Sequence, residues 1–475
     1  MMNSDNGSND DDDSLFSVRT LSFILIGVVI GFAIYFQKSR DDVRPAGDIH
    51  ALEERHSEFI MRLIMVEALM LDYAGVERRE DSVREIRSQL DTLVNQVGLR
   101  TLSVEVQKRV IQSYLETAPD DPPPDQAPLA RDYRLVYVRG LGIPDDSPLL
   151  ALPTGDLVRL KLMRMRGESE AADSLEGELK EQALKAYMKM LSGVLIVAGC
   201  MAASFLILIK LFVSPPLALY GPQLDLVPPG ENRVLFETAL LYLFLMFPLG
   251  GMIAGQIPAG YALLFHLAYL PLIMGISLFY FASNTSPGVL KLILFGEAPR
   301  LKLLLREVGY GFVGFLAVFP FAALVLGFFL TMLLYLGLHE GESALRFAHP
   351  VVFEIEKRPI LIFVLAVLVV PLMEEIVFRG FLYGFFRKQA GVEVVEGSFG
   401  RVLLAGAGPG FLSGFFFAIL HPQGWPAIPY LTLLGMGLGF VREVRATIIA
   451  PTVAHMCVNA LAVVLSYWLL GLGAM

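Results

Sequence analysis

Three short groups of residues in the last quarter of the chain have the types and spacing that chemistry requires. The first lies in the run PILIFVLAVLVVPLMEEIVFRGFLYGFFR, which starts at Pro359 and places two adjacent carboxylates, Glu374 and Glu375, deep in apolar sequence. Neighbouring carboxylates in poorly solvating surroundings repel, so one of them can hold or accept a proton near neutral pH, as a general base must. Arg379 follows Glu375 by four residues, on the same helical face, so an ion pair within the helix is expected. Glu374 points about 100° away around the axis and is free for other work. Pro371, one turn earlier, frees backbone groups. The second group is Phe417-Ala-Ile-Leu-His421, a His that ends an apolar run just before Pro422. The third is His455-Met-Cys-Val-Asn459, where a spacing of four puts two hydrogen-bond donors on one face of one helix. Two convergent donors are what an oxyanion hole uses.

Each group alone has a bland explanation. Glu375 and Arg379 could belong to a buried ion-pair network that locks helices together. His421 could be an interfacial His at a helix end, and His455 and Asn459 could make interhelical hydrogen bonds worth about 1 kcal/mol each. Together the groups say more. Ionisable groups are costly in lipid unless they face one another, and a shared polar cavity would satisfy all of them. That cavity would hold a carboxylate base, a His to orient water and a donor pair for a tetrahedral oxyanion, the requirements for amide hydrolysis by activated water.

The elements that must position these groups are membrane helices. Of the 475 residues, 55% are hydrophobic and only 18% charged, against roughly a quarter charged in an ordinary soluble protein. A spanning helix needs about 20 mostly apolar residues. The runs that qualify or nearly so are 20–37, 191–213, 233–255, 261–283, 309–337, 360–386, 402–420, 427–441 and 447–471. The expected fold is therefore all-α: a polytopic membrane helical bundle of eight or nine transmembrane helices, one of them short enough to be re-entrant. Residues 1–19 form an acidic tail whose composition predicts disorder. Residues 20–37 read as a retained N-terminal anchor, since no basic flank or small-residue cleavage site marks a signal peptide. Residues 38–190 read as a mostly helical extramembrane domain, with helical patterns at 48–73 and 79–116, a Pro/Asp-rich linker from Pro119 to Pro128 and a short extended piece from Tyr133 to Val138. Membrane helices then occupy 191–340, and 341–475 form the core that carries the three groups. His266 stands alone on an apolar helix and is expected to bond to a neighbour.

Net charge is −9, and no basic patch with interleaved aromatics is present, so no nucleic-acid partner is expected. Cys200 and Cys457 are too few for a disulfide framework or a thiolate zinc site. Lys291, Arg300, Lys302 and Arg306, with Arg387, Lys388, Arg401, Arg442 and Arg445, fall on one side under alternating topology, which the positive-inside rule makes cytoplasmic. Arg346, Lys357 and Arg358 fall opposite, and Lys38, Arg40 and Arg44 leave the side of 38–190 open.

The string Glu374-Glu375-Ile-Val-Phe378-Arg379-Gly380-Phe-Leu382 resembles the first signature of the CAAX-processing and bacteriocin-processing (CPBP, Abi) intramembrane protease family, which includes the type II CAAX prenyl endopeptidase. Phe417 to His421 resembles its second signature and His455 to Asn459 its third, in the same order. The resemblance covers roughly 350–470. It implies that Glu374 activates water with help from His421, that His455 and Asn459 stabilise the oxyanion, and that Glu375, Arg379 and Phe417 support them. It implies a membrane-embedded or lipidated peptide or protein as substrate, with prenylated CAAX tails among the candidates, and a multi-pass location in the bilayer (in a bacterium, the plasma or inner membrane). Members are commonly labelled metalloproteases. Glu374, His421 and His455 could supply three zinc ligands, but no HExxH is present, and a site without a cofactor is the favoured version. A straight helix could leave His421 too far from Glu374; a helix tilted or broken around Gly406 to Gly410 would bring it closer. Two other readings stay open: a non-catalytic membrane scaffold or chaperone in which 38–190 binds a protein partner, and a proton-coupled transporter.

Overall fold

The computed structural model describes residues 61–71, 76–96, 102–115, 127–213, 228, 231–296, 301–335, 358–391, 399–421 and 425–472. The acidic tail 1–19 and the anchor 20–37 lie outside the described residues. The described chain is all-helical with no strand, and its contacts divide it into two compact units, one built mainly on 44–198 and the other on 199–332 with 349–464.

In the first unit the helices are α1 (61–70), α2 (Val76–Gln96), α3 (Leu102–Tyr114), α4 (Pro128–Tyr133) and α5 (Gly155–Met165), and α6 (Ser169–Val213) begins there. Apolar residues at helical spacing, such as Val106, Val110 and Ile111, meet Met61, Ile64, Leu69, Ile86, Leu90 and Val158 in one core. The segment expected to be extended, Tyr133 to Val138, is instead helical: Pro128 starts α4, and Arg134–Val138 continue it as a wide π turn. The reason is tertiary. Tyr133 and Val136, three residues apart, both turn into the core, which a strand's alternation would prevent. The first part of α6 is charged and carries i,i+4 pairs, Lys180–Glu176 at 3.0 Å and Lys185–Glu181 at 2.6 Å. Its later part is apolar.

The second unit contains α7 (Asn232–Ala254), α8 (Ala262–Ser283), α9 (Val289–Phe295), α10 (Leu301–Tyr335), α11 (Pro359–Gln389), α12 (Phe399–Ile419), α13 (Ile428–Arg445) and α14 (Ile449–Leu472). Among the described residues five helices are long and apolar enough to cross a membrane: Ser169–Ile207 within α6, α7, α8, Leu304–Phe329 within α10, and α11. The expected spans 402–420 and 447–471 correspond to shorter apolar stretches, Gly406–Ile419 and Ile449–Leu465. The expected span 427–441 lies in α13, which ends in Arg442, Glu443 and Arg445. The chain is an integral, multi-pass helical membrane protein. Many of its large apolar side chains face outward, among them Met252, Phe279, Phe328, Ile360 and Leu404, as a lipid-facing surface requires.

Its core runs from Leu235 and Tyr242 through Ile273, Phe281 and Phe381 to Phe417, Leu438 and Val458. Polar groups on these helices mostly settle on local carbonyls. Thr238 Oγ1 donates to the Val234 carbonyl (2.7 Å), Ser277 Oγ to Ile273 (2.8 Å), and His266 Nδ1 lies 2.7 Å from the Ala262 carbonyl. The lone His of the sequence is thus satisfied within its own helix. Glu237 pairs with Arg233 at 2.6 Å and accepts from the Tyr280 hydroxyl at 2.9 Å.

Candidate active site

α11 is not a uniform helix. Val364–Val369 and Ile376–Leu382 are π turns, and the short α-helical piece between them, Val370–Glu375, carries both carboxylates. Pro371 has no N–H to continue the regular pattern, and π turns shift the side chains after them around the axis, a feature found often at functional sites. The consequence is a division of labour between adjacent residues. Glu375 is fully enclosed, with Arg379 Nη1 at 2.8 Å and His455 Nδ1 at 2.9 Å from its Oε1. Arg379, also fully enclosed, adds a hydrogen bond from Nη2 to the Gly435 carbonyl at 3.2 Å. Glu374 faces the other way and keeps 11% of its side chain exposed.

Two imidazoles meet Glu374. His421 Nδ1 lies 2.7 Å from the Phe417 carbonyl, so it must be the protonated donor, and its Nε2 turns to Glu374 Oε1 at 3.9 Å. His455 donates through Nδ1 to Glu375, and its Nε2 turns to Glu374 Oε2 at 3.7 Å. Both gaps exceed a hydrogen bond, so the two oxygens of Glu374 are engaged by neither ring. His421 keeps 15% side-chain exposure, so the rim of the group, unlike Glu375 and Arg379, is open to a small molecule. Asn459, one turn beyond His455, donates from Nδ2 to the Ala366 carbonyl at 2.8 Å, in the π turn of α11. The structure thus gathers Glu374, Glu375, Arg379, His421 and His455 into one cluster, and ties Asn459 to the helix that carries the carboxylates.

Phe417 is the hub of that cluster. Its ring centroid lies 4.1 Å from His421 and 5.6 Å from His455, and the Arg379 guanidinium carbon sits 4.8 Å over its face. Its edge-on partner is Phe378 at 5.3 Å. The spacing of Phe417 and His421 therefore reflects packing as well as chemistry.

Of the two alternatives, a tilted or a broken helix, the break around Gly406 to Gly410 is absent: α12 runs without interruption through Gly406, Pro409 and Gly410. His421 reaches Glu374 without it, because both lie several turns from the connection between α11 and α12. The glycines serve close approach. A Cβ on Gly414 would stand 2.4 Å from the Thr432 carbonyl, and one on Gly435 would stand 2.6 Å from Gly414 Cα and 3.2 Å from Arg379 Nη2. Backbone contact of this kind is the common way to join membrane helices. Here it also sets the carbonyl that receives Arg379. Gly414→Ala is expected to cost about 2 kcal/mol and to lower cleavage with it, whereas Gly408→Ala, which meets open space, should change neither. Thermal unfolding of the two variants in detergent checks this.

A second buried cluster was not foreseen from the sequence. Arg387 Nε bonds both Glu443 oxygens at 2.9 and 3.0 Å, the Tyr383 hydroxyl donates to the same carboxylate, and Arg442 Nη2 donates to the Ile293 carbonyl at 2.7 Å. By sequence, Arg387 and Arg442 are expected to be loop cations. In the structure both are buried and tie α9, α11 and α13 together.

Among the described residues no three His, Cys, Asp or Glu side chains are gathered as ligands for a metal ion. The set zinc would use, Glu374, His421 and His455, is close but does not form such a site as it stands.

Within this helical membrane bundle a carboxylate and two imidazoles converge. Residues 356–461 match the family described as "Type II CAAX prenyl endopeptidase Rce1-like". The matched segment is similar to that family across all three motifs, and it holds every member of the cluster around Glu374. No curated protein and no solved structure matches the chain.

Proposed function

We propose that this protein is an intramembrane endopeptidase that hydrolyses a peptide bond of a membrane-anchored, lipidated substrate with water activated by Glu374. The reading rests above all on one observation. Glu374 is the open member of an otherwise enclosed charged cluster, and both imidazole Nε2 atoms turn toward it at 3.9 and 3.7 Å. Water held by Glu374 and His421 loses a proton to the carboxylate as its oxygen attacks the scissile carbonyl carbon. The carbonyl oxygen gains the negative charge and is met by Asn459 and by Nε2–H of His455, a role that needs the imidazolium form, in which Nδ1 donates to Glu375 and Nε2 to the oxyanion. Glu374 then returns the proton to the departing amine as the C–N bond breaks, giving a free carboxylate and a free amine. Glu375 fixes the His455 ring by accepting from Nδ1, and Arg379 holds Glu375 in place at 2.8 Å.

The family description names a prenyl CAAX endopeptidase, and we extend that substrate class to this chain. The lipid of such a substrate would lie among the outward-facing apolar side chains while its peptide enters the polar cluster. The test is cleavage in proteoliposomes of a farnesylated peptide carrying a CAAX tail, beside the same peptide without the lipid. Cleavage only of the lipidated peptide supports the reading; equal cleavage of both removes the lipid requirement, and cleavage of neither removes the substrate class. We further propose that no metal takes part. Preincubation with EDTA or 1,10-phenanthroline should leave the rate within about twofold, since the lost factor would be orders of magnitude if a metal generated the nucleophile. Loss of activity that zinc restores would refute the metal-free version.

A further inference from the structure

Ser413 lies on α12, fully buried and two turns before His421. Its hydroxyl donates to the Phe378 carbonyl on α11 at 2.7 Å. Thr238, Ser277 and Thr452 behave otherwise: each bonds a carbonyl one turn earlier in its own helix, at 2.7, 2.8 and 2.7 Å. That is the ordinary recourse of a hydroxyl on an apolar helix. Ser413 crosses to a neighbouring helix instead, and the carbonyl it reaches lies inside the π turn Ile376–Leu382 that follows the carboxylate pair. That carbonyl already accepts from the Tyr383 N–H five residues on, where a regular α-helix would supply the Leu382 N–H. It thus receives one bond from within α11 and a second from α12. Ser413, Phe417 and His421 recur at intervals of four, so they share one face. Each meets α11 at a different level. Ser413 bonds the Phe378 carbonyl. Phe417 stands edge-on to the Phe378 ring at 5.3 Å and takes the Arg379 guanidinium at 4.8 Å over its own face. His421 turns Nε2 to Glu374 Oε1 at 3.9 Å.

We propose that Ser413 is a positioning residue: by bonding the Phe378 carbonyl it sets the register of α12 on the π turn of α11, and with it the gap between His421 and Glu374 in which the attacking water is held. The inference rests on the peptidase reading given above. The ring contacts of Phe417 hold the two helices together but tolerate sliding, because apolar attraction has no direction. A hydrogen bond does have direction and a narrow range of length, so Ser413 supplies the one-position register that ring packing leaves loose. The hydroxyl touches neither water nor substrate and takes no part in proton transfer. It acts on the reaction through His421.

The test measures cleavage of the farnesylated peptide by the full-length protein in proteoliposomes, under single-turnover conditions with excess enzyme so that slow variants can be read. Ser413→Ala is expected to lower the cleavage rate about 10-fold with KM within about twofold, since a shift well under an ångström is enough to spoil such geometry. Ser277→Ala removes a hydroxyl that is equally buried but bonded within its own helix, and should stay within about twofold of wild type. The decisive comparison is a second background. In His421→Ala the imidazole is already gone, so adding Ser413→Ala should lower the rate by less than about a further twofold. A serine that merely supports the fold would cost the same factor in both backgrounds. An unchanged rate for Ser413→Ala overturns the inference; so does an equal loss in the two backgrounds, or an equal loss in Ser277→Ala. Glu374→Gln separates this inference from the reading beneath it. If Glu374→Gln is inactive while Ser413→Ala cleaves normally, only the role of Ser413 fails. If Glu374→Gln cleaves at the wild-type rate, or the wild type cleaves nothing, the peptidase reading fails and this inference with it.

Discussion

Glu374→Gln is expected to lower peptide cleavage by about 10³-fold or more while leaving the protein inserted and folded. The amide has nearly the same volume but cannot take a proton from water. Folding should survive because Glu374 holds nothing together: its oxygens stand 3.9 and 3.7 Å from the two imidazoles, beyond hydrogen-bonding distance. The change therefore removes chemistry without removing a bond. Single-turnover cleavage in proteoliposomes, with thermal unfolding measured on the same preparation, separates the two effects. A scaffold or chaperone that keeps only the fold would show no difference between wild type and variant in its own assay. A proton-coupled transporter would lose flux rather than cleavage.

The second large effect concerns stability. Glu375 and Arg379 are fully enclosed and 2.8 Å apart, and removing one partner of such a pair strands the other charge. Glu375→Gln and Arg379→Met are each expected to destabilise the protein by about 3–5 kcal/mol. The arginine is further held by the Gly435 carbonyl and the Phe417 face, and Glu375 also anchors His455. The double variant Glu375→Gln/Arg379→Met should cost clearly less than the sum of the two, because neither charge is then left alone. Additive costs would show that the pair does not act as a unit. The activity of these variants is a second readout. Glu375→Gln should impair cleavage even where the protein stays folded, since the charged acceptor that orients the His455 ring is gone.

Much of the architecture is legible in the residues alone. Long apolar runs leave little choice but membrane helices, and five of the expected runs, 191–213, 233–255, 261–283, 309–337 and 360–386, lie wholly or largely within helices long and apolar enough to cross a membrane. The spacing of Glu375 and Arg379 gives their pairing, because positions four apart share a face. What escaped the sequence depends on backbone detail or on distant contacts. The two π turns around Val370–Glu375 have no sharp signature apart from Pro371, yet they stand on either side of the pair that sends one carboxylate to Arg379 and leaves the other open. The glycines of α12 suggest a break by their propensity. Only the approach of Gly435 to Gly414 reveals them as a packing seam. Tyr133 to Val138 is aromatic and β-branched, as a strand would be, but the core pulls it into a helical turn. Arg387 and Arg442 look like ordinary loop cations until Glu443 and the Ile293 carbonyl are seen beside them.

The claim on which all of this depends is that Glu374, His421 and His455 share a hydrated hollow within the membrane domain. An experimental density map of the detergent-solubilised protein, at a resolution that shows ordered water, tests it most directly. A water bonded to Glu374 and to at least one Nε2 atom is expected, with no metal-like peak among them. A packed apolar side chain filling the space between the carboxylate and the two rings would contradict it.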